Sequence, residues 1–427
     1  MAELEVDAAT RRKAVVAATI GNFVEWYDFT IYGYFATVIA AQFFTSDDPL
    51  TAIMATFAVF GVAFVVRPVG ALVMGSIGDR IGRRNTLSVV ILLMSGATFL
   101  IGVAPTYAQV GVLAPIILAL ARALQGFSAG GEFGGATSFM IEYAPEDRRG
   151  LYGSWQAFTQ GMAAAVGVTL GVVLSSALPE QTFNAWGWRV PFLVALPLGL
   201  IGLYLRLRLE DTPHFRTVRE TREVESAPLR ESVRSHGGDI LKVIGCIVFG
   251  TALTYLLIYL PTYMTTTIGL EQPQALAANL AGIFCLLALC PASALLSERV
   301  GRKPFLVGPA LGAAVLALPI FLLLQGSYPA VLLAHALVGS LIGLFGGAYP
   351  AAFSELFPTK VRYSALSLSY SVSVSIFGGS APLIFTFLLQ RTGSPISPAF
   401  YIVVAALIST VAALTITETA RRPLLDT

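Results

Sequence analysis

Long apolar runs, separated by short polar segments, recur along the chain from about residue 15 onwards. A transmembrane helix needs about 20 predominantly apolar residues, and twelve runs reach that length. The first run is too long for a removable signal peptide and lacks a cleavage site of small residues, so we expect it to remain as a span. The pattern predicts an all-α membrane protein whose spans are 15–44, 50–77, 85–104, 109–141, 151–177, 187–208, 240–267, 274–297, 304–324, 328–356, 363–390 and 396–418.

The composition excludes the soluble classes of protein. Hydrophobic residues make up 56% of the chain and charged residues 12%, whereas typical soluble proteins have about 45–50% and about 25%. Such a chain cannot cover a soluble surface, which excludes soluble enzymes, disordered scaffolds and disulfide-rich secreted domains. The cysteines Cys246, Cys285 and Cys290 lie in apolar runs, and their spacing fits neither a disulfide framework nor a zinc site. We expect them to be buried packing residues.

The basic residues predict the orientation of the spans. All but four of the 27 Lys and Arg residues fall at the N-terminus, in alternate loops, in the central loop or at the C-terminus. Basic residues in short loops are retained on the cytoplasmic side of a membrane. Both termini are therefore predicted to be cytoplasmic. Of the other four, Arg189 and Arg391 fall at the opposite face, and Arg67 and Arg122 lie within spans.

The two halves of the chain repeat the same motifs. Residues 79–84, after the second predicted span, match residues 298–303, after the eighth. An acidic residue, a proline and an arginine that follow the fourth span recur after the tenth, as Glu142, Pro145, Arg149 and Glu355, Pro358, Arg362. Such duplication predicts two pseudo-symmetric six-helix bundles, a substrate site near the midplane between them, and rocking as the transport motion.

A charged segment at 210–239 interrupts the apolar rhythm between the two halves. The predicted organisation is therefore an N-terminal six-helix bundle at 1–209, a cytoplasmic linker at 210–239 and a C-terminal six-helix bundle at 240–427. The charges of the linker have both signs and recur at helical spacing. The linker is accordingly either a surface helix lying along the membrane or a solvated tether.

Several ionisable side chains fall inside predicted spans, where a charge costs at least about 2.5–3.5 kcal/mol. Glu25 and Asp28 lie three residues apart and share one helix face, and Arg122, Gln125 and Glu132 share a face of the fourth span. We predict that Asp28, Glu25 and Glu132 serve proton coupling. Arg122 would hold a carboxylate ionised in one state and release it in the other. The alternative is a permanent structural ion pair.

Aromatic side chains within the spans suggest how a solute is held. The tyrosines at 255, 259 and 263 follow one another at intervals of four, which directs them one way. With aromatic residues of the first span they would attract an ammonium group, while Arg122 receives a carboxylate, so a zwitterion would satisfy both. The alternative is simple packing with an interfacial aromatic belt. The predicted substrate-binding residues are Arg122, Trp26, Tyr27, Tyr32, Gln125, Tyr255, Tyr259 and Tyr263.

The repeated loop motif is better interpreted as a gate than as a binding site. Its acidic residue can cap or pair with a helix end while its basic residues bind carboxylates such as that of Glu142, which would close the cytoplasmic side. The second copy would act in the same way. A purely topogenic role for the basic residues is the alternative. The predicted gating residues are Asp79, Arg80, Arg83, Arg84, Glu142, Arg149, Glu298, Arg299, Arg302, Glu355 and Arg362.

Two further polar residues of the spans have open interpretations. Arg67 lies in the cytoplasmic third of the second span, where it either neutralises Glu132 or a loop carboxylate or extends to the interface. His335 is the only histidine within a predicted span, and it is either a proton relay or a packed side chain. No second titratable neighbour is evident for His335, which favours packing.

Five strings carry a resemblance to a known family. The string GDRIGRR at 78–84, with its second-half copy, resembles the cytoplasmic loop signature of the major facilitator superfamily. The strings GNFVEWYDF at 21–29, RPVG at 67–70, QGFSAGGE at 125–132 and FPTKVRYS at 357–364 resemble its metabolite:proton symporter family, and the chain is most similar to the proline/betaine transporter branch. The resemblance implies the major facilitator fold, in which spans 1 and 4 line a central cavity.

Two departures from that branch affect what the resemblance implies. The osmosensory members carry a long C-terminal coiled-coil extension, whereas this sequence stops at Thr427, so that form of regulation is not expected. The string FGGSAP at 377–382 is closer to dicarboxylate-carrying relatives. The resemblance therefore leaves the substrate open.

The sequence as a whole predicts a proton-coupled symporter that imports a small zwitterionic solute, such as proline or glycine betaine, across the inner membrane of a prokaryote. The alternatives are a symporter of a di- or tricarboxylate such as 2-oxoglutarate, citrate or shikimate, and a proton-driven exporter. No catalytic dyad, metal cluster or nucleotide-binding GKS/T loop occurs in the sequence, so we expect neither an enzyme nor a cofactor. The expected partners are the solute, protons and the lipid bilayer, with no nucleic acid and no obligate protein.

Overall fold

Helices joined by short turns make up nearly all of the protein. The computed structural model describes residues 8–81, 83–130, 132–142, 144–207, 228–422 and 424. We number the α-helices of these residues in chain order. Their bounds are α1 Ala8–Tyr34, α2 Ala36–Phe43, α3 Pro49–Ile81, α4 Arg83–Val103, α5 Tyr107–Val110, α6 Leu113–Ala129, α7 Glu132–Glu142, α8 Arg149–Ala177, α9 Glu180–Ala185, α10 Val190–Leu207, α11 Pro228–Tyr263, α12 Gln272–Val300, α13 Lys303–Leu323, α14 Tyr328–Gly346, α15 Tyr349–Ser354, α16 Thr359–Ser373, α17 Ala381–Thr392 and α18 Ser397–Thr415.

The helices agree with the predicted spans. Among the described residues, ten helices are long and apolar enough to cross a membrane. The two remaining predicted spans correspond to α1 with α2 and to α4, which carries the shorter apolar stretch Ser88–Val103. The all-α membrane architecture is therefore confirmed. The side of the membrane on which the termini lie stays a prediction.

Four predicted spans are interrupted where hydropathy gives no warning. The breaks fall at Phe35, between α6 and α7, at 347–348 between α14 and α15, and at the π-helical turn Val374–Gly378 between α16 and α17. Pro350 and Pro382 lie in the first turn of α15 and α17, where a residue without an N–H can begin a helix but not continue one. Apolar residues continue across each break, so the hydropathy pattern predicted single spans.

The same helix pairs pack together in each half of the chain. In the first half α3 packs on α6, α4 on α10, and α1 on α8. In the second half the corresponding pairs are α12 with α14, α13 with α18, and α11 with α16. This correspondence is the structural form of the sequence repeat. The two halves then meet through α8 with α12, α7 with α16, α1 with α11, and α3 with α17.

Close packing inside the first half depends on two glycines. A β-carbon on Gly126 of α6 would lie 1.8 Å from the carbonyl oxygen of Ala63 in α3. A β-carbon on Gly70 of α3 would lie 1.9 Å from the carbonyl oxygen of Phe127 in α6. Small residues at such crossings let two membrane helices approach until their backbones touch. This crossing fixes α3 against α6, the helices that carry Arg67 and Arg122.

The predicted linker is only partly within the described residues. Residues 208–227 lie outside them, and α11 already begins at Pro228, so residues 228–239 are helical. A non-helical backbone at His236 (φ −125°, ψ 19°) separates the first turns of α11 from the part that spans the membrane. The boundaries 1–209, 210–239 and 240–427 themselves stay a prediction.

The last predicted span ends earlier than expected, and a non-helical strap of residues 416–422 follows it. The backbone N–H groups of Arg302 and Lys303 donate to the Glu418 carboxylate at 2.8 and 3.1 Å. The Thr419 hydroxyl donates to Glu355 at 2.7 Å, and the Arg149 guanidinium donates to the Arg422 carbonyl at 2.8 Å. The strap therefore joins both halves. We call the end of the helix bundle that carries residues 416–422 the termini end.

Glu418 is expected to act as a remote cap on α13. Burial raises the pKa of its carboxyl, but the backbone N–H groups of Ala420, Arg302, Lys303 and Thr419 outweigh this and hold the pKa below its usual value. Glu418→Gln should lower the free energy of unfolding by about 1 kcal/mol at neutral pH, the typical contribution of a cap. Because the folded-state pKa is depressed, this difference is present above the unfolded pKa of about 4.3 and is lost as the pH falls through the folded pKa.

Unfolding in detergent, followed by circular dichroism between pH 7 and pH 3, measures the effect. Glu180→Gln, at an exposed residue of α9, is the matched control and should leave stability unchanged. If the loss of unfolding free energy in Glu418→Gln stayed constant from pH 7 to pH 3, this result would contradict the cap.

Candidate functional site

A buried ion pair joins the first two membrane helices. The Arg67 guanidinium of α3 donates to the Glu25 carboxylate of α1 at 2.8 Å, and each side chain is 3% exposed. Glu25 was expected to pair with Arg122, and Arg67 with Glu132 or a loop carboxylate or with the interface. In this state α3 turns Arg67 towards α1, and the pairing of Asp28 or Glu25 with Arg122 in another state stays a prediction. Arg67 also lies 5.7 Å from the ring of Tyr370 in α16, so the pair faces the second half.

Arg122 is fully buried inside the first half. Its guanidinium donates to Gln125 at 2.7 Å and to the Phe60 carbonyl at 3.2 Å, and Gln125 in turn donates to Thr98 at 2.6 Å. The guanidinium also lies 4.6 Å from the ring of Tyr32 and 4.5 Å from that of Phe60. Gln125 and Tyr32 were expected to contact solute, but in this state both side chains contact the Arg122 guanidinium.

Asp28 lies on α1, one turn from Glu25, and is completely buried. Within the described part of the chain, neither of its carboxylate oxygens has a hydrogen-bond partner of normal geometry. Thr98, Arg122 and Glu25 are the groups that act on it electrostatically, and Arg122 makes no ion pair with it among the described residues. An ionised carboxylate costs far more free energy to bury without a partner than a protonated one does. The side chain of Glu132, the third predicted coupling residue, lies outside the described part.

A cavity of about 60 Å³ lies between the two halves. At about 10–15 Å³ for each water, this volume holds about four to six water molecules. Aromatic side chains from five helices surround it: Trp26, Tyr34, Tyr255, Phe345, Tyr349 and Tyr370. Phe133 of α7 stacks on Tyr370 at 3.5 Å between ring centroids, so the first half closes against this aromatic wall. None of the described residues that line the cavity is charged.

The predicted aromatic stripe divides in the structure. Tyr255 lines the cavity with Trp26 6.4 Å away, whereas Tyr259 lies 5.4 Å from Phe57 and accepts a hydrogen bond from Thr386. Tyr263 turns into the second half, where its hydroxyl donates to the Pro395 carbonyl at 2.9 Å. Tyr263 is therefore outside the cavity lining in this state, and its contact with solute stays a prediction.

Tyr27 also faces away from the cavity. Its hydroxyl donates to the Pro191 carbonyl at 2.8 Å, where α1 packs on α10. Tyr27 therefore joins α1 to α10 within the first half, and its contact with solute stays a prediction. Tyr349, Tyr370 and Gln160 line the cavity but were missed, because they belong to three different helices. Only the packing of α8, α15 and α16 brings these three together.

An ion pair and a hydrogen bond join the two halves at the termini end. The Arg362 guanidinium of α16 donates to the Glu142 carboxylate of α7 at 2.9 Å. The backbone N–H of Gly150 in α8 donates to the Glu298 carboxylate of α12. Arg302 binds Glu298 at 2.9 Å and Glu355 at 3.2 Å. Several predicted gating residues of the second copy therefore meet here.

Electrostatics hold this cluster together at the membrane surface. Burial raises the pKa of the Glu355 carboxyl, although Arg302 and the Thr419 hydroxyl oppose the rise. Burial lowers the pKa of Arg302, but Glu355 and Glu298 more than offset this and raise it. Arg149 is buried and binds Glu146 at 3.3 Å, whereas Arg299 is exposed and its carbonyl accepts a hydrogen bond from Arg421. The side chains of Asp79, Arg80, Arg83 and Arg84 lie outside the described part.

The opposite end of the bundle is also bridged. Gln390 of α17 donates to the Asp48 carboxylate at 2.8 Å and to the Thr51 hydroxyl at 3.0 Å, at the start of α3. Contacts between the halves therefore exist at both ends of the cavity. This is the arrangement expected of an occluded carrier.

Weakening the termini end should expose Cys290 of α12, whose thiol lies 3.5 Å from the Ser154 carbonyl across the interface. A charge-assisted hydrogen bond contributes about 1.5–3 kcal/mol, so Arg362→Gln should raise the open population at least roughly tenfold. Cys246 and Cys285 are replaced by Ala, so that only Cys290 reacts. The rate of Cys290 alkylation should then rise in proportion to the open population. Arg391→Gln, at the opposite end, is the control and should have no effect. An unchanged rate in Arg362→Gln would exclude Arg362 as a gate.

His335 is completely buried, and its Nδ1 lies 2.9 Å from the Val331 carbonyl of its own helix. No other His, Cys, Asp or Glu cluster that could hold a metal occurs around it among the described residues. This position is that of a packed side chain, the interpretation favoured from the sequence.

Comparisons with known proteins agree with this architecture. Residues 18–382 match the model of the Major Facilitator Superfamily. A glycine betaine/proline/ectoine/pipecolic acid transporter of Dickeya dadantii is 38% identical, the match covering 98% of this chain and 86% of the relative. A proline/betaine transporter of Escherichia coli K12 is 36% identical with the same coverage, and an ectoine/proline transporter of Corynebacterium glutamicum is 37% identical over 97% of this chain and 85% of the relative.

Solved structures show the same fold. A D-xylose–proton symporter superposes with a TM-score of 0.76, 18% identity, and coverage of 97% of this chain and 99% of the other. A partially occluded inward-open xylose transporter from E. coli superposes with a TM-score of 0.73 and 16% identity over 98% of this chain and 100% of the other. The chain therefore belongs to the Major Facilitator Superfamily, in the branch of the proline/betaine transporters, and is a multi-pass membrane transporter rather than an enzyme.

Proposed function

We propose that this transporter imports a zwitterionic compatible solute, such as proline or glycine betaine, together with protons, by alternating access. The observation that carries the proposal is the cavity between the halves, whose walls are aromatic and, in the described residues, uncharged. Aromatic rings attract an ammonium group through their π faces. The named activities of the relatives from D. dadantii and E. coli support the same solute class.

The lining of the cavity argues against a dianionic substrate. A di- or tricarboxylate would bring a net charge of minus two or more into a low-dielectric site, where only cations could offset it. The two arginines nearest the interface are already engaged, Arg67 by Glu25 and Arg122 by Gln125 and a carbonyl. A zwitterion carries no net charge, because its own ammonium group offsets its carboxylate.

Asp28 is proposed as the proton carrier. Its buried carboxylate has no hydrogen-bond partner of normal geometry among the described residues, so it fits the closed structure in its protonated form. Proton binding would then permit the halves to close around the solute, and proton release would follow opening on the other side. At about 100 mV, one charge supplies about 2.3 kcal/mol, which is enough for roughly fifty-fold accumulation of a neutral solute. No further cofactor is required, and we place the protein in the bacterial inner membrane.

Uptake into proteoliposomes with an imposed proton gradient tests this function. Proline, glycine betaine, ectoine, 2-oxoglutarate and citrate are supplied in turn while internal pH is recorded. We expect zwitterion-dependent acidification and no response to the dicarboxylate or tricarboxylate. Proton uptake driven by citrate or 2-oxoglutarate alone would overturn the substrate class, and solute uptake without proton movement would overturn the coupling.

A further inference from the structure

The carboxylate of a zwitterionic solute has no cation to bind at the cavity wall. The described residues that line the cavity carry no charge, and Arg122, the predicted carboxylate receptor, is not among them. Phe29, Tyr32 and Phe60 surround the Arg122 guanidinium at 5.1, 4.6 and 4.5 Å from their ring centroids. The carboxylate must therefore be held by neutral hydrogen-bond donors.

Two such donors meet across the interface at one end of the cavity. Tyr34 is the last residue of α1 and lines the cavity below Thr30 and Trp26, which are one and two turns earlier on the same face. Asn279 of α12 precedes the lining residues Ile283 and Leu286 by one and two turns, so it continues their face. The Tyr34 hydroxyl interacts with the Asn279 side chain. The two halves therefore contribute one donor each.

Both side chains are buried, and among the described residues their polar atoms approach only each other. Tyr34 is 1% exposed and Asn279 is 0% exposed. Among the described residues, the Tyr34 hydroxyl and both the oxygen and the nitrogen of the Asn279 amide lack a hydrogen bond of normal geometry. Buried polar groups are nearly always satisfied, and an exception at a cavity wall is most simply satisfied by a ligand.

We infer that Tyr34 and Asn279 form a neutral subsite that binds the carboxylate of the transported solute, while Trp26, Tyr255, Tyr349 and Tyr370 hold its ammonium group. This inference rests on the proposed function. The arrangement separates the two charges of the solute along the cavity, and it ties carboxylate binding to contact between α1 and α12. A solute without a carboxylate would leave both donors unpaired, so the subsite also selects the substrate.

Competition against labelled glycine betaine uptake tests the subsite. The competitors are unlabelled glycine betaine and its methyl ester, which keeps the ammonium group and loses the carboxylate charge. The wild-type protein should prefer the zwitterion, and Tyr34→Phe and Asn279→Leu should each reduce that preference roughly tenfold. In the double variant the preference for the zwitterion should fall by less than the product of the two single reductions, because both donors bind the same carboxylate. Asn279→Asp should reverse the preference, since it places a negative charge beside the carboxylate.

Two control variants separate the subsite from general effects. Tyr401→Phe removes a hydroxyl that donates to the Phe377 carbonyl outside the cavity, and should leave the preference unchanged. Gln160→Leu removes the amide that lines the cavity against Tyr349, and should alter affinity for both competitors alike. An unchanged preference in Tyr34→Phe and Asn279→Leu, or its loss in Gln160→Leu alone, would overturn the subsite. Failure of the wild-type protein to take up glycine betaine would instead overturn the proposed function.

Discussion

Asp28→Asn is expected to abolish proton-driven accumulation while preserving exchange of solute across the membrane. The amide copies the shape of a protonated carboxyl but cannot release a proton, so the halves can still close but no proton is carried. With a driving force of about 100 mV, roughly fifty-fold accumulation should fall to simple equilibration. Uptake and counterflow of labelled glycine betaine in proteoliposomes measure the two activities separately.

Asp48→Asn is the matched control for this experiment. Asp48 is an exposed carboxylate at the start of α3, and hydrogen bonds from Thr51, Leu50 and Gln390 hold its pKa below the usual value. It is ionised throughout the working range, so its replacement should not affect coupling. Intact accumulation in Asp28→Asn, at the level of Asp48→Asn, would exclude Asp28 as the proton carrier.

Removing one partner of the Glu25–Arg67 pair is expected to have the largest effect on stability. Both side chains are almost fully buried, and removing one partner of a buried ion pair costs about 3–5 kcal/mol. Arg67→Gln should therefore lower the free energy of unfolding in detergent by that amount. The double variant Glu25→Gln, Arg67→Gln should recover most of the loss, because it removes both charges at once.

The exposed pair Lys242–Asp239 provides the comparison. Its atoms are also 2.8 Å apart, but the side chains are 40% and 37% exposed. Lys242→Gln should therefore change stability by less than about 1 kcal/mol. A similarly small loss in Arg67→Gln would show that water reaches the Glu25 carboxylate, and would contradict a closed site.

The sequence was sufficient for the architecture and insufficient for the pairing of its charges. The length of the apolar runs predicts the spans, and the repeat of 79–84 at 298–303 predicts two matching bundles, because these signals are local or periodic. The partner of Glu25 depends on how α1 and α3 are rotated against each other. Rotation is set by tertiary packing, such as the contact between Gly70 and Phe127, and no local pattern records it.

Periodicity also misplaced part of the aromatic site. A step of four residues turns a helix by about 40° beyond a full turn, so Tyr255 and Tyr263 differ by about 80°. Pro261 and the π-helical turn Met264–Ile268 follow within the same stretch. Tyr255 consequently faces the cavity and Tyr263 does not. Tyr349 and Tyr370, on different helices, reach the cavity only through packing, which explains why the sequence did not single them out.

A cross-link at the opposite end of the bundle tests the central claim, that solute enters a site enclosed between two halves that separate in turn. Asp48 and Gln390, whose side chains lie 2.8 Å apart, are replaced by cysteines in a protein without its native cysteines. A short thiol-reactive linker that contains a reducible bond then joins the two new cysteines. We expect the cross-link to abolish glycine betaine uptake and its reduction to restore it. Uptake at the full rate by the cross-linked protein would contradict alternating access.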